Sequence, residues 1–117
     1  MTTILIIEDE QNLSRLYKNT LKEEGYSVIT TELGKEALKI IQTQSIDLVV
    51  LDIRLPDMDG IEVLCSILEN RHDLPCIINT GYPMYKLDFR CWGAKAYICK
   101  SSDLSELTST ISQALNK

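Results

Sequence analysis

The most apolar segment of the chain runs from Ile46 to Leu51 and leads directly into Asp52. Its aliphatic residues do not alternate regularly with polar ones, which indicates a strand that is covered on both faces. Strands of that kind occur almost only in parallel sheets with helices packed on both sides. Because an unpaired charge at the end of such a run would be costly to bury, Asp52 is a candidate functional residue.

Strand and helix patterns alternate along the whole chain. Apolar or β-rich segments suitable for strands cover residues 3–7, 26–30, 46–51, 75–80 and 96–99. Apolar residues at helical spacing follow each of these segments. The five helical stretches are carried by Leu13, Leu16, Tyr17 and Leu21, by residues 34–41, by residues 61–68, by a short stretch between Gly81 and Gly93, and by Leu104, Leu107, Ile111 and Leu115. Five successive strand–helix units predict an α/β domain with a parallel sheet and helices on both faces.

Length and composition limit the class of protein. The chain has 117 residues, of which 44% are hydrophobic, and this suits one domain with one core. No apolar run approaches the roughly 20 residues that a membrane helix needs, and the first residues do not resemble a secretory signal. The formal net charge of −5 disfavours direct binding to a nucleic-acid backbone.

The cysteines and the single histidine do not form a recognisable site. No C-x-x-C pair is present, and His72 has no second histidine with which to form a zinc site; the cysteines are Cys65, Cys76, Cys91 and Cys99. Without a secretory signal we expect reduced thiols in a cytoplasmic protein. His72 lies in the polar run 70–73 and is expected to be solvated, which disfavours a Ser-His-Asp site.

Polar residues follow the predicted strands at their carboxyl ends, where ligands bind in open parallel α/β sheets. They are Glu8, Asp9, Asp52, Thr80 and Lys100. Neighbouring parallel strands lie about 4.8 Å apart, so strands one and three, if adjacent, would bring three carboxylates together. Taken alone, Glu8 or Asp9 is also a common type of residue for the first turn or the cap of a helix.

Carboxylate oxygens without histidine or cysteine favour Mg²⁺ or another hard cation, which would relieve the repulsion between like charges. A cation held in this way commonly recruits phosphate oxygens. Lys100 would offer a positive charge to a phosphoryl oxygen, and Thr80 a hydroxyl donor. The set as a whole therefore predicts phosphoryl transfer, in which positioning and charge neutralisation do most of the catalysis.

The sequence resembles the receiver domain of two-component response regulators along its whole length. The segments that carry the resemblance are 4–10, 47–60, Thr80-Gly81, Gly93-Ala94 and 97–100. Within 47–60, the pattern Asp-x-x-x-Pro-x-x-x-Gly from Asp52 to Gly60 is specific in combination with the N-terminal acidic pair. The resemblance implies one receiver domain over residues 1–117, with a flavodoxin-like (βα)5 three-layer sandwich and strand order 2-1-3-4-5.

The resemblance also implies a chemistry for the site. Asp52 would be the phosphoacceptor, attacking the phosphohistidine of a histidine kinase or a phosphotransfer protein, with Lys100 on the phosphoryl group. Thr80 would turn to hydrogen-bond that group, and Tyr97 would follow inward as an aromatic switch. The protein would change only its own phosphorylation state, so it would be a signalling module rather than an enzyme.

A magnesium site is part of the same implied chemistry. Asp9 and Asp52 would ligate Mg²⁺ directly, the backbone carbonyl of Arg54 would be a further ligand, and Glu8 would act mainly through water. Glu8 stands where an aspartate is commoner in the family, and this change is expected to be tolerated.

Two departures from the family pattern affect the output side. Lys100 is followed by Ser101 where the family usually has proline after a cis peptide, and a cis bond before a non-proline residue costs about 3–4 kcal/mol, so we expect a trans bond or a local rearrangement. The interval from Thr80 to Gly93 is 13 positions, which is short for the family. A short or distorted helix is expected there, with Pro83 in its first turn.

Alternative functions stay open at this point. The chain could be a degenerate receiver that acts only as a binding module, or an aspartyl-nucleophile phosphohydrolase of the haloacid-dehalogenase type. The phosphohydrolase is disfavoured because enzymes of that type usually carry the nucleophile at the end of the first strand and have a cap domain. In this sequence the candidate nucleophile, Asp52, ends the third predicted strand, and no residues remain for a cap. The output partner is unknown: the chain is either a single-domain regulator or a receiver taken from a longer protein with an output domain.

Overall fold

The computed structural model describes residues 1–81 and 93–116. Strands and helices alternate through most of this range. In chain order they are β1 (Thr3–Ile7), α1 (Gln11–Glu23), β2 (Ser27–Thr31), α2 (Gly34–Thr43), β3 (Leu48–Leu51), α3 (Gly60–Asn70), β4 (Cys76–Thr80), β5 (Ala96–Cys99) and α4 (Ser105–Leu115). The predicted short helix between Gly81 and Gly93, and Pro83 within it, lie outside the described residues.

The strands form a single five-stranded sheet of order β2-β1-β3-β4-β5, and every pairing in it is parallel. The predicted α/β class and the strand order 2-1-3-4-5 are therefore confirmed. Strand β1 lies between β2 and β3, with Ile7 opposite Thr31 on one side and Leu51 on the other. This register places the residues that follow β1 and β3 side by side.

The sheet separates two hydrophobic cores. Leu5 and Ile7 of β1 contribute to the core beneath α2 and α3, whereas Ile4 and Ile6 contribute to the core beneath α1 and α4. All four residues of β3 are buried, which confirms the prediction of a strand covered on both faces. Alternation along each strand thus gives a three-layer sandwich.

The first helix differs from its sequence pattern at one position. Tyr17 and Leu21 are buried, as predicted, but Leu16 is 44% exposed. Residues 16 and 17 are about 100° apart around a helix of 3.6 residues per turn, so only one of these adjacent side chains can point squarely into the core. Gly25 follows α1 with a φ of 98°, a conformation that glycine adopts without steric cost.

None of the helices in residues 1–81 and 93–116 is long and apolar enough to cross a membrane. Cys65, Cys76 and Cys99 are free thiols, and His72 is exposed. The exposure of His72 agrees with the solvated position that the sequence analysis predicts. Cys91 lies outside the described part of the chain, as do Tyr82, Tyr85, Phe89 and Trp92.

Candidate functional site

Three carboxylates converge at the carboxyl edge of the sheet. Glu8 and Asp9 follow β1 and Asp52 follows β3, and one oxygen from each lies within 4.8 Å of the others. Glu8 and Asp52 are buried, at 3% and 4% exposure, whereas Asp9 is exposed. Backbone pairing fixes this arrangement, because the Asp52 N–H donates to the Ile7 carbonyl at 3.1 Å.

The helix that follows β1 does not use Glu8 or Asp9 as its cap. Glu10 is the N-cap of α1, and its carboxylate accepts a hydrogen bond from the Asn12 N–H at 3.1 Å. The Glu10 N–H in turn donates to Oε2 of Glu8 at 3.1 Å. A separate acid thus satisfies the helix end, which leaves Glu8 and Asp9 at the carboxylate cluster.

Lys100 joins the cluster from the end of β5. Its Nζ lies 2.8 Å from Oδ2 of Asp52, and 3.0 and 3.1 Å from the two carboxylate oxygens of Glu8. The Lys100 N–H donates to the Thr80 carbonyl at 2.8 Å, which holds the residue beyond the strand end. One ammonium thus offsets part of the repulsion between two buried carboxylates.

Burial and pairing shift the ionisation of this cluster. Burial raises the pKa of Glu8, and its hydrogen bond with Lys100 only partly offsets that effect. Burial acts in the opposite direction on Lys100, but hydrogen bonds and charges from Asp52 and Glu8 outweigh it, so the pKa of Lys100 is raised. The lysine is therefore firmly cationic at neutral pH.

Two buried oxygen atoms at the site have no hydrogen-bond partner among the described residues. They are Oδ1 of Asp52 and Oγ1 of Thr80. Thr80 ends β4 next to β3 and is fully buried. Buried polar atoms are nearly always paired in proteins, so these two are positioned to interact with a ligand that reaches the site.

The loop from Ile53 to Asp59 packs tightly against the site. The Gly60 N–H donates to the Ile53 carbonyl at 2.6 Å, and a Cβ atom on Gly60 would lie only 2.2 Å from the Asp52 carbonyl oxygen. Arg54 pairs with Asp59 in an antiparallel bridge, and Asp59 caps α3 through the Ile61 N–H at 2.8 Å. Arg54 thus has a defined position beside Asp52.

Asp57 fastens this loop to another helix. Its Oδ1 accepts from the Gly34 N–H at 2.8 Å and its Oδ2 from the Lys35 N–H at 3.0 Å, at the start of α2. The preceding Leu33 makes no side-chain capping bond of its own. The hydrogen bond from Lys35, followed by that from Gly34, lowers the pKa of Asp57. No local sequence pattern indicates this cap, because the partners are more than twenty positions apart.

Tyr97 and Ser101 lie on either side of Lys100 in the chain, in β5 and just after it. Tyr97 lies opposite Ile78 in the β4–β5 register and is half-buried against the core beneath α2 and α3. No cis peptide bond occurs in residues 1–81 and 93–116, so the Lys100–Ser101 bond is trans, as predicted. The Ser101 hydroxyl accepts from the Asp103 N–H at 3.1 Å.

Two buried polar side chains belong to the core beneath the sheet edge. Tyr17 of α1 and Asn79 of β4 are 2% and 3% exposed. Burial raises the pKa of Tyr17, and the charges of Glu8, Lys100 and Asp52 also act on it. The sequence pattern predicts Tyr17 only as part of the first helix and residues 75–80 only as a strand.

The family model for the response regulator receiver domain matches residues 4–112. The chain belongs to this family. Response regulator receiver domains are signalling domains of two-component systems, and the resemblance noted in the sequence is thereby confirmed.

Curated relatives of this receiver domain are longer proteins. The response regulator ArlR of Staphylococcus saprophyticus is 36% identical over 118 residues, which cover 100% of this chain and 54% of ArlR. A probable transcriptional regulator of Cyanidium caldarium is 36% identical over 116 residues, covering 97% of this chain and 46% of that protein. The chain thus spans about half the length of the curated relatives that it matches.

Solved receiver structures share the fold. The response regulator TrrA of Thermotoga maritima, in complex with Mg²⁺-BeF, is 39% identical with a TM-score of 0.95, over 98% of this chain and all of that one. TrrA has also been solved in complex with the histidine kinase ThkA, where the TM-score is 0.93. The receiver domain of HemR from Leptospira biflexa, in non-phosphorylated form, is 28% identical with a TM-score of 0.92, over 100% of this chain and 96% of that one.

Proposed function

We propose that the chain, taken as one receiver unit over residues 1–117, is a phosphoacceptor that depends on Mg²⁺ and carries its phosphoryl group on Asp52. The observation that carries the proposal is the state of the Asp52 carboxylate. It is buried, one oxygen is held by Lys100 at 2.8 Å, and the other has no partner among the described residues. The lysine holds one oxygen of this carboxylate in place, and the other oxygen is available to attack a phosphoryl group.

The transfer makes one bond and breaks one. An Asp52 carboxylate oxygen attacks the phosphorus of a phosphohistidine, an O–P bond forms, and the P–N bond to the donor imidazole breaks. The product is an acyl phosphate, and the electron pair of the broken bond stays with the imidazole. Lys100 stands within reach of the phosphoryl oxygens and neutralises part of their charge, which is the main requirement of phosphoryl transfer.

The donor set fits a hard dication. Glu8, Asp9 and Asp52 offer oxygen ligands within 4.8 Å of one another, and no softer ligand belongs to the cluster in the described residues. Asp9, Asp52 and the Arg54 carbonyl would hold Mg²⁺ directly, and Glu8 through water. Bound there, Mg²⁺ would neutralise charge on the transferring phosphoryl group. TrrA, the similar receiver, has been solved with Mg²⁺-BeF.

Thr80 and Tyr97 are proposed to report phosphorylation to the surface. The Thr80 hydroxyl is buried without a partner in the described residues and ends the strand next to β3, so a phosphoryl group on Asp52 would offer it an acceptor. Tyr97 lies on the neighbouring strand β5 and is half-buried. A turn of Thr80 toward the site would change the packing beside Tyr97, which is a two-state response to a new charge.

The partners proposed are a histidine kinase or phosphotransfer protein as donor and an unidentified output protein or domain as receiver of the signal. A similar receiver, TrrA, forms a complex with the histidine kinase ThkA. The curated relatives carry additional sequence beyond the matched part. Direct binding to nucleic acid is not proposed for this chain, because its net charge is −5.

The decisive experiment compares the parent protein with Asp52→Asn in the presence of Mg²⁺ and acetyl phosphate. The parent should gain one phosphoryl group by intact mass, and Asp52→Asn should gain none, while the exposed-site control Asp73→Asn should label like the parent. Labelling of Asp52→Asn at the parental rate would overturn the assignment. No labelling together with no binding of millimolar Mg²⁺ would indicate a binding module instead, and multiple turnover of a phosphomonoester would indicate a phosphohydrolase.

A further inference from the structure

The start of α2 is capped from a distant part of the chain. Helices α1 and α3 are each capped by the acidic residue that directly precedes them, Glu10 and Asp59. The residue before α2 is Leu33, which makes no side-chain capping bond. Instead, the N–H groups of the first two residues of α2 donate to Oδ1 and Oδ2 of Asp57, at 2.8 and 3.0 Å. A cap that a preceding residue commonly supplies thus comes here from the loop between β3 and α3.

The same loop packs closely against the start of α2. Met58 follows Asp57 in the chain and occupies the space that a side chain on Gly34 would need. A Cβ atom on Gly34 would lie 2.5 Å from Cγ of Met58 and 2.8 Å from its sulfur. Because the two parts are joined by both hydrogen bonds and packing, we expect the loop and the first turn of α2 to move together.

The loop has a defined shape of its own and carries part of the site. Arg54 pairs with Asp59 in an antiparallel bridge, and the Gly60 N–H donates to the Ile53 carbonyl at 2.6 Å. Asp57 lies between these paired ends. Its contact with α2 therefore fixes the loop as a unit, and with it the backbone carbonyl of Arg54, which is a proposed ligand of Mg²⁺.

The first turn of α2 is also joined to the other side of the site. The hydroxyl of Thr31, at the end of β2, donates to the carboxylate of Glu36 in that turn and accepts from the Leu33 N–H at 3.2 Å. The Thr31 carbonyl in turn accepts from the Glu8 N–H at 3.0 Å. Thr31 is 7% exposed, so these bonds are largely shielded from water. Hydrogen bonds thus run from Glu8 through Thr31 to α2, and from α2 through Asp57 to the loop.

We propose that Asp57 is a positioning residue for the magnesium site: its two hydrogen bonds hold the β3–α3 loop against α2, and so set the Arg54 carbonyl relative to the carboxylates of Glu8 and Asp52. The inference rests on the proposed phosphoacceptor function and deepens it. Glu8 is placed by the sheet, because it directly follows β1. The loop leaves the sheet after β3, so its position depends on contacts such as that of Asp57, which is itself outside the carboxylate cluster.

Three variants separate positioning from the loss of a charge or of stability. Asp57→Ala removes both acceptor oxygens, whereas Asp57→Asn removes the same charge but keeps one oxygen acceptor. Asp47→Ala is the matched control. Oδ2 of Asp47 accepts from the Thr3 N–H at 2.8 Å, and Asp47 directly precedes β3 at the opposite edge of the sheet. The control therefore removes one negative charge and one acceptor of a backbone N–H far from the loop.

The first readout is the Kd for Mg²⁺, measured by isothermal titration calorimetry at a temperature where every variant is folded. Asp57→Ala should raise the Kd about tenfold, the lower end of the effect that residues outside the ligand set have on metal affinity. Asp57→Asn should raise it less, and Asp47→Ala should bind like the parent. A parental Kd in Asp57→Ala would overturn the inference. Equal shifts in the two Asp57 variants would trace the effect to the lost charge and would also overturn it.

The second readout is hydrogen exchange of the Gly60 amide, followed by NMR in the Mg²⁺-free proteins. Because this amide closes the loop onto Ile53, it should exchange faster in Asp57→Ala than in Asp47→Ala. Equal exchange in these two variants would overturn the inference whatever the metal affinities are. A parent protein that binds no Mg²⁺ would overturn the proposed function and the inference together. A parent that binds Mg²⁺ no more tightly than Asp57→Ala would overturn the inference alone.

Discussion

The ammonium of Lys100 lies 2.8 Å from Oδ2 of Asp52, across the sheet from one strand end to another. The two residues are 48 positions apart in the chain, and the parallel register of β3, β4 and β5 brings them together. The same ammonium also contacts Glu8. One ammonium thus balances part of the charge of two buried carboxylates.

Replacement of Lys100 by methionine should destabilise the protein. The change removes the cation and leaves two buried carboxylates facing each other, and breaking a buried ion pair in this way costs about 3–5 kcal/mol. We expect a loss of free energy of unfolding toward the lower end, about 3 kcal/mol, because the Lys100 side chain is 22% exposed. Urea unfolding at neutral pH measures it, with Lys95→Met, at an exposed position, as the control. A Lys100→Met protein as stable as the parent would contradict the ion-pair argument.

Asp57→Asn should weaken the tie between the β3–α3 loop and α2. The amide keeps one oxygen acceptor for the two N–H groups, so the cost should stay below the ~1 kcal/mol of losing a capping side chain altogether. The lowered pKa of Asp57 fixes the pH dependence. The ionised form of Asp57 is favoured in the folded state. Its contribution to the free energy of unfolding is therefore fully present above the unfolded pKa of about 3.9, and it is lost as pH falls through the pKa of the folded protein. Urea unfolding should therefore separate parent and variant at pH 7 but not at pH 2. Asp73→Asn, whose contact with Arg71 is 4.0 Å long, should show no such difference, and an equal gap at both pH values would refute the assignment.

Gly60→Ala should disrupt the loop that carries the site. The added Cβ would lie 2.2 Å from the Asp52 carbonyl oxygen and 2.7 Å from the Ile53 Cα and carbonyl oxygen, all of them backbone atoms. Overpacking of this kind typically costs 1–3 kcal/mol and occasionally more, and we expect about 3 kcal/mol or more here. Thermal and urea unfolding measure it. Gly81→Ala is the matched control, because a Cβ there would meet nothing within 4 Å. Equal stability of the two variants would show that the loop can shift to accommodate the added Cβ at no cost in stability.

Cys76 should resist alkylation in the folded protein. Burial raises its pKa to about 12, so the reactive thiolate is scarce at pH 8 and access to the sulfur is also blocked. Cys65 and Cys99 are half-buried and should react faster with iodoacetamide. Peptide mapping by mass spectrometry distinguishes the sites, and urea should remove the difference. Labelling of Cys76 as fast as Cys65 under native conditions would count against the described core.

The sheet and the main site residues followed from sequence because both depend on local patterns. The run 46–51 requires a strand with two covered faces. The rule that ligands bind at the carboxyl ends of parallel strands selects a small set of polar residues from the sequence alone: Glu8, Asp9, Asp52, Thr80 and Lys100. The structure places Glu8, Asp9 and Asp52 in one cluster, with Lys100 bonded to two of them. What each does in phosphoryl transfer stays a prediction.

Features that depend on tertiary placement could not be predicted in the same way. The cap of α2 by Asp57 joins positions that only the folded sheet makes neighbours. Leu16 fitted the helical spacing but is exposed, because an apolar pattern wider than the buried stripe does not say which of its edges faces the core. The start of α4 is a further example: its N-cap Leu104 makes no side-chain capping bond, and Asp103, one residue earlier, accepts from the Ser105 N–H at 2.9 Å.

The composition of the charged cluster has a kinetic consequence. With every group ionised, Glu8, Asp9 and Asp52 outnumber Lys100 three to one, so the edge of the sheet repels the anions that a phosphoryl donor carries and attracts dications over about a Debye length. In the proposed phosphoryl transfer, copies of the protein that have already bound a dication should therefore encounter the donor more often than copies that have not. Added salt should weaken both the repulsion of the anionic donor and the attraction of the dication. Ionic strength should therefore change the order in which the two bind as well as the rates at which they bind.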